Sequence, residues 1–225
     1  ISILSLNRFN LFFSKKKKII KKKKIIVFFR NYGFQDLEYI VKEDKFDFEL
    51  LFFPRNNIKK IFNKFFSDYS GNISDNNYLS DNKSLNIKKE KYKNFIKEIL
   101  KHLRKKMEIS GIISFNFRYF TEREIHKACS ELGIKFIVCH KESLILDAEL
   151  KKYNEINSKN GKYNGHHIIV YTERFKKILI NSGICEENKI HVTGMPRADY
   201  YFKNQDKNED NHILFLIPTI RQPYE

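Results

Sequence analysis

Short unbroken apolar runs recur along this chain, and most are followed by a stretch in which apolar residues return at helical spacing. The runs lie at residues 25–29, 46–53, 111–117, 135–139, 167–171 and 190–193. A continuous apolar run bounded by loop residues is the mark of a strand covered on both faces. Strands separated by helices of about ten or more residues pair in parallel, because the chain must cross over before the next strand can lie alongside. The alternation therefore predicts an α/β fold: a Rossmann-like parallel sheet with helices on both faces.

The intervening segments fit this plan. Phe34, Leu37, Ile40 and Val41 share one helical face, as do Ile58, Ile61, Phe62 and Phe65 in residues 56–66. Tyr92, Phe95, Ile96, Ile99, Leu100, Leu103 and Met107 keep the same rhythm in a long helix, which reads as core. Thr121 to Glu124 (TERE) has the form of a capping box, with Ile125, Ala128, Cys129 and Leu132 as the buried face behind it. Thr172 caps the next helix, whose Phe175, Ile178 and Leu179 point inward. One device occurs twice: ELGI before the fourth strand and NSGI before the sixth, each glycine being a natural helix stop. Residues 67–86, rich in Asn, Asp and Ser, read as an excursion or mobile loop.

The net charge of +16 first suggests a polyanionic partner. Nine of the 43 basic residues fall in residues 1–24 with no acidic residue among them, so more than half of the excess is one terminal tract. The cations of the body are not interleaved with aromatic residues on one face, so no specific nucleic acid is expected. Residues 1–24 read as a basic leader, disordered or lying on a membrane surface. Phe9, Leu11, Phe12 and Phe13 would enter the interface, and Lys15 to Lys18 and Lys21 to Lys24 would face anionic headgroups. The leader is too short and too polar to span a bilayer. Most of its charges follow the apolar stretch, the reverse of a signal peptide.

Cys129, Cys139 and Cys185 show no CxxC spacing and read as reduced thiols of a cytoplasmic protein, peripheral at most on the inner face of the plasma membrane. The seven histidines show no metal-ligand spacing, and His166 and His167 would point to opposite faces of a strand, so no metal and no cofactor is expected. GxGxxG, GxxxxGK[ST] and GxSxG are all absent.

In an open parallel sheet, ligands bind beyond the carboxyl ends of the strands. Those positions hold Arg30-Asn31-Tyr32-Gly33, Asn116-Phe117-Arg118-Tyr119, His140-Lys141-Glu142-Ser143 and Gly194-Met195-Pro196-Arg197-Ala198-Asp199. This set suits a phosphorylated, hydroxyl-rich substrate. His140 or Glu142 is the candidate base for a sugar hydroxyl. Arg30, Asn116, Arg118, Lys141, Gly194, Arg197 and Asp199 are the candidate binding residues, with Arg197 and Asp199 better suited to holding a domain junction.

A strand followed by HKES, then a strand–helix unit ending in KIHVTGMPRADYY, resembles GT-B-type transferases of capsule and teichoic-acid assembly, the CDP-glycerol glycerophosphotransferases among them. Members of that group show a similar strand–TG-x-PR-x-D segment where the N-terminal domain hands over to the C-terminal one; here it is Val192 to Asp199. The glycerophosphotransferases usually place a His-Gly pair where this chain has His140-Lys141. The likeness spans roughly residues 110–217.

It implies an N-terminal, acceptor-side domain over residues 25–205, and a linker with the first strand of a donor domain over 206–225. The donor would be a nucleotide-activated sugar or CDP-alcohol, the acceptor a carbohydrate or lipid-linked chain, and the fragment alone would be inactive. A UDP-sugar 2-epimerase of the same fold, or a basic nucleic-acid-binding protein, is the alternative.

Overall fold

The computed structural model of the chain describes residues 23–29, 37, 48–67, 73, 78–141, 150–159 and 161–198. Six strands, β1 (Lys23–Phe29), β2 (Phe48–Pro54), β3 (Ile109–Ser114), β4 (Lys135–Cys139), β5 (His167–Val170) and β6 (Ile190–Val192), form one sheet. Its order is β2-β1-β3-β4-β5-β6, and every neighbouring pair is parallel. The helices whose bounds fall among the described residues are α1 (Arg55–Phe66), α2 (Lys83–Lys106), α3 (Arg123–Leu132), α4 (Leu150–Ser158) and α5 (Glu173–Asn181). The predicted α/β Rossmann-like parallel sheet is the observed one.

Alternate strand residues serve opposite faces, as the pleat requires. Ile26, Phe28, Ile112, Phe136, Val138, Ile168 and Val170 face the main core beneath the helices. Val27 and Ile113 turn the other way, where the helical residue Leu37 packs against them and Phe115. The rest of the helix expected around Leu37, and the donor-domain strand expected within 206–225, lie outside the described residues.

The repeated glycine device works as read. Gly133 and Gly183 adopt φ of 65° and 67°. Beyond each, the isoleucine amide reaches back across the helix end, Ile134 N–H to the Cys129 carbonyl at 2.9 Å and Ile184 N–H to the Leu179 carbonyl at 3.1 Å. Both isoleucines then drop into the core. A Cβ at Gly133 or Gly183 would meet nothing within 4 Å. Gly133→Ala is therefore expected to cost only the left-handed backbone penalty, about 1 to 2 kcal/mol, read as a lower urea midpoint with an unchanged slope.

Elsewhere the structure corrects the sequence reading. TERE is not a capping box: Glu122 is the residue before α3 and its side chain caps nothing. Thr121 and Glu122 instead lie in a 3-10 turn, Phe120–Glu122. The Glu124 carboxylate accepts from the Tyr78 hydroxyl at 3.2 Å and pairs with Lys127. Residues 67–86 are not simply an excursion, since Tyr78 and Leu85 are buried and Asn82 caps α2 by accepting from the Leu85 amide at 3.1 Å. The third strand starts at Ile109 and ends at Ser114, earlier than expected at both ends. β1 begins at Lys23, inside the expected leader, and Lys24 pairs with Glu49. α4 is an addition to the expected elements, with Leu150 and Tyr153 packed against the main core. Thr172 does cap α5, accepting from the Phe175 amide at 3.2 Å.

Among the described residues no helix is long and apolar enough to cross a membrane.

Candidate functional site

The chain passes from β1 outward to β2, then crosses back to place β3 on the other side of β1. In such a sheet the crevice opens beyond the carboxyl ends of the two strands where the direction of winding reverses. Arg55, the first residue of α1, follows β2 directly, and Ser114 ends β3.

These two are joined through one carboxylate. Arg55 donates from Nε to Glu122 Oε1 at 2.8 Å, and the Ser114 hydroxyl donates to Glu122 Oε2. Glu122 is 0% exposed. Burial raises its carboxyl above the ordinary range, while Arg55 and Ser114 pull it back. With one partner on each oxygen, Glu122 ties the segments after β2 and β3 together. The Arg55 guanidinium also lies over the Tyr119 ring, 3.3 Å from its centroid.

Above this pair, the predicted residues of β3 and β4 come together. Asn116 is buried, and its side-chain oxygen accepts the Arg118 amide at 2.8 Å, turning the chain at the strand end. The His140 amide bonds to the Ile169 carbonyl at 2.8 Å and the Lys141 amide to the Phe115 carbonyl at 3.4 Å, so HKES starts from a loop tied to both neighbouring strands. Arg118 and Lys141 both act electrostatically on His140, which puts two cations and an amide around one strand end.

His140 itself is an interior ring. It is 1% exposed, packed against Phe117 at 5.0 Å and stacked on Phe175 at 4.8 Å. Burial first, then Arg118 and Lys141, lower its pKa to about 3. Such a ring is neutral at physiological pH but a weak proton acceptor, and it presents no open face to an acceptor hydroxyl. The base role expected of it does not match this position.

Gly194 stands apart, at the end of edge strand β6, where it takes φ of 75°. The Thr193 amide holds the segment to β5 through the Val170 carbonyl at 3.1 Å, and a 3-10 turn, Pro196–Ala198, follows. Arg197 belongs to that turn. Arg30, Glu142 and Asp199 lie outside the described residues.

Arg55, Ser114 and Glu122 are not among the residues the sequence points to, whereas Tyr119 belongs to the strand-end set named from it. The rule that picked Arg30, a cation directly after a strand, would have found Arg55 had it been applied to β2. No local pattern announces Glu122, whose partner is 67 positions away.

His166 precedes β5 and accepts the Phe136 amide at 3.1 Å, so the two adjacent histidines are not a strand pair. His167 Nδ1 instead lies 3.0 Å from His191 Nε2 on β6. Among the described residues no three His, Cys, Asp or Glu gather as a metal cluster.

Comparison with protein-family models, curated proteins and solved structures finds no match for this chain.

Proposed function

We propose that this chain is the acceptor-side, N-terminal domain of a GT-B-type transferase that builds a surface polysaccharide, with an acceptor hydroxyl attacking a nucleotide-activated sugar or CDP-alcohol. The observation that carries the reading is the segment from Val192 to Ala198. It leaves the carboxyl end of β6 with Gly194 at positive φ and Pro196 opening a helical turn, the backbone that a strand–TG-x-PR handover needs. Asn116, Arg118 and Lys141 support it as a polar, cationic set at the strand ends, suited to hydroxyls and phosphate. The Arg55–Glu122 pair keeps the two loops beside them in place.

In this reading the donor nucleotide is held by a second α/β domain. His140 braces the end of β4, and deprotonation of the acceptor falls to Glu142.

The test is transfer by the product of the complete reading frame. Supplied with CDP-glycerol or a UDP-sugar and a membrane fraction as acceptor, it is expected to release CMP or UDP only when acceptor is present. Glu142→Gln should lower turnover by about 10²- to 10⁴-fold. Interconversion of a UDP-sugar at carbon 2 without acceptor, or unchanged turnover in the variant, contradicts the respective part of the proposal.

A further inference from the structure

An apolar cavity of about 350 Å³ lies between the sheet and helices α1 and α2. Its walls include Phe28, Leu51, Ile58, Ile96 and Leu103. That volume is within the range of small-molecule sites, and a void so apolar is not stabilised by water. Its polar edge is on one side: His102 and Lys106 line it and are exposed, with Lys105 exposed beside them. Lys105 and Lys106 belong to the last turn of α2, which also carries Arg104, and His102 lies just before it.

The neighbouring charges are predominantly basic. The Lys24 amide bonds to the Glu108 carbonyl at 2.7 Å, so β1 starts beside the end of α2 and brings Lys23 to the same surface. The acidic groups nearby are Glu49, paired with Lys24, Glu98, paired with Lys101, and Glu108. The chain reaches Lys23 through Lys15 to Lys18, Lys21 and Lys22. An apolar chamber with cations at its rim, at the point where a lysine tract enters, matches an amphiphile with an anionic head. The leader is a poorer occupant, because its lysines carry the same charge as Lys105 and Lys106.

We propose that this cavity takes one acyl chain of an anionic phospholipid at a bilayer surface, with the headgroup held by His102, Lys105 and Lys106. The surface lies at the amino-terminal end of the sheet, opposite Asn116 and Arg118, and the proposal does not depend on the transferase reading.

The chain contains no tryptophan, so one introduced indole reports on the rim alone. Unmodified protein is expected to sediment with phosphatidylcholine vesicles containing phosphatidylglycerol and not with phosphatidylcholine alone. Lys105→Gln combined with Lys106→Gln should lower the partition by on the order of 30-fold. The indole of His102→Trp should be quenched by phosphatidylglycerol brominated on its acyl chains. Ile61→Trp, on the cavity wall, serves the same purpose if the first variant melts early by circular dichroism. Failure to sediment overturns the proposal. So does sedimentation with both indoles unquenched, which would place the lipid contact on the leader, or an indole shielded equally with and without vesicles, which would place the leader in the cavity.

Discussion

Phe62→Ala is expected to cost about 4 kcal/mol, a large part of the 5 to 15 kcal/mol that holds a typical domain together. Phe62 is 1% exposed and sits at the centre of an aromatic group rather than at its margin. Its ring stacks on Phe66 at 4.1 Å, meets Tyr92 edge-on at 5.4 Å and Phe120 edge-on at 5.5 Å, and tilts against Tyr78 at 5.8 Å. Those partners come from α1, α2, the residues before α2 and the turn before α3. Truncation removes the transfer free energy of the ring and leaves a void beside side chains that are themselves held by other contacts, so collapse is limited. Equilibrium urea unfolding measures it; a loss below about 1 kcal/mol would mean that the group repacks freely.

Arg55→Met has a comparable effect by a different route. Breaking a buried pair from one side leaves an uncompensated charge, at a cost of about 3 to 5 kcal/mol. Here the stranded group is the Glu122 carboxylate, with the Ser114 hydroxyl as its remaining partner among those described. Combining Arg55→Met with Glu122→Gln should recover most of the loss, because the amide carries no charge into the interior.

The pH dependence separates this from a packing defect. Burial already raises the Glu122 carboxyl, and removing the guanidinium takes away the main opposing influence. A carboxyl raised in the folded state contributes stability below its unfolded pKa and loses it as pH rises through the folded value. The deficit of Arg55→Met relative to the parent should therefore grow with pH above the ordinary carboxylate range and shrink on acidification. A deficit independent of pH would contradict the charge account.

What could be read from the sequence was what short stretches dictate by themselves. ELGI and NSGI each need one left-handed glycine and one buried isoleucine, and both formed as read. The apolar runs became strands because a run covered on both faces has no other outlet for its side chains. TERE failed for the converse reason. Its residues could cap a helix, but the fold puts them to other uses: Glu122 answers Arg55, Glu124 receives Tyr78, and the Thr121 carbonyl accepts the Tyr92 hydroxyl at 3.0 Å. A local preference worth about 1 kcal/mol yields to a buried charge that must be paired.

His140 was placed correctly at the end of β4, yet its burial is set by Phe117 and Phe175 from two other segments. Strand-end position is legible from the chain; enclosure is a property of the assembled sheet.

The transferase proposal requires the acceptor to bind beyond the carboxyl ends of β1 and β3. Backbone amide shifts of the ¹⁵N-labelled chain, titrated with a short glycerol-phosphate oligomer, test it directly. The prediction is that the largest changes fall at Ser114, Asn116, Arg118 and Lys141, with smaller ones at Gly194. Changes confined to the opposite end of the sheet, at Ile109, Lys135 and His167, or no changes at all, would contradict it.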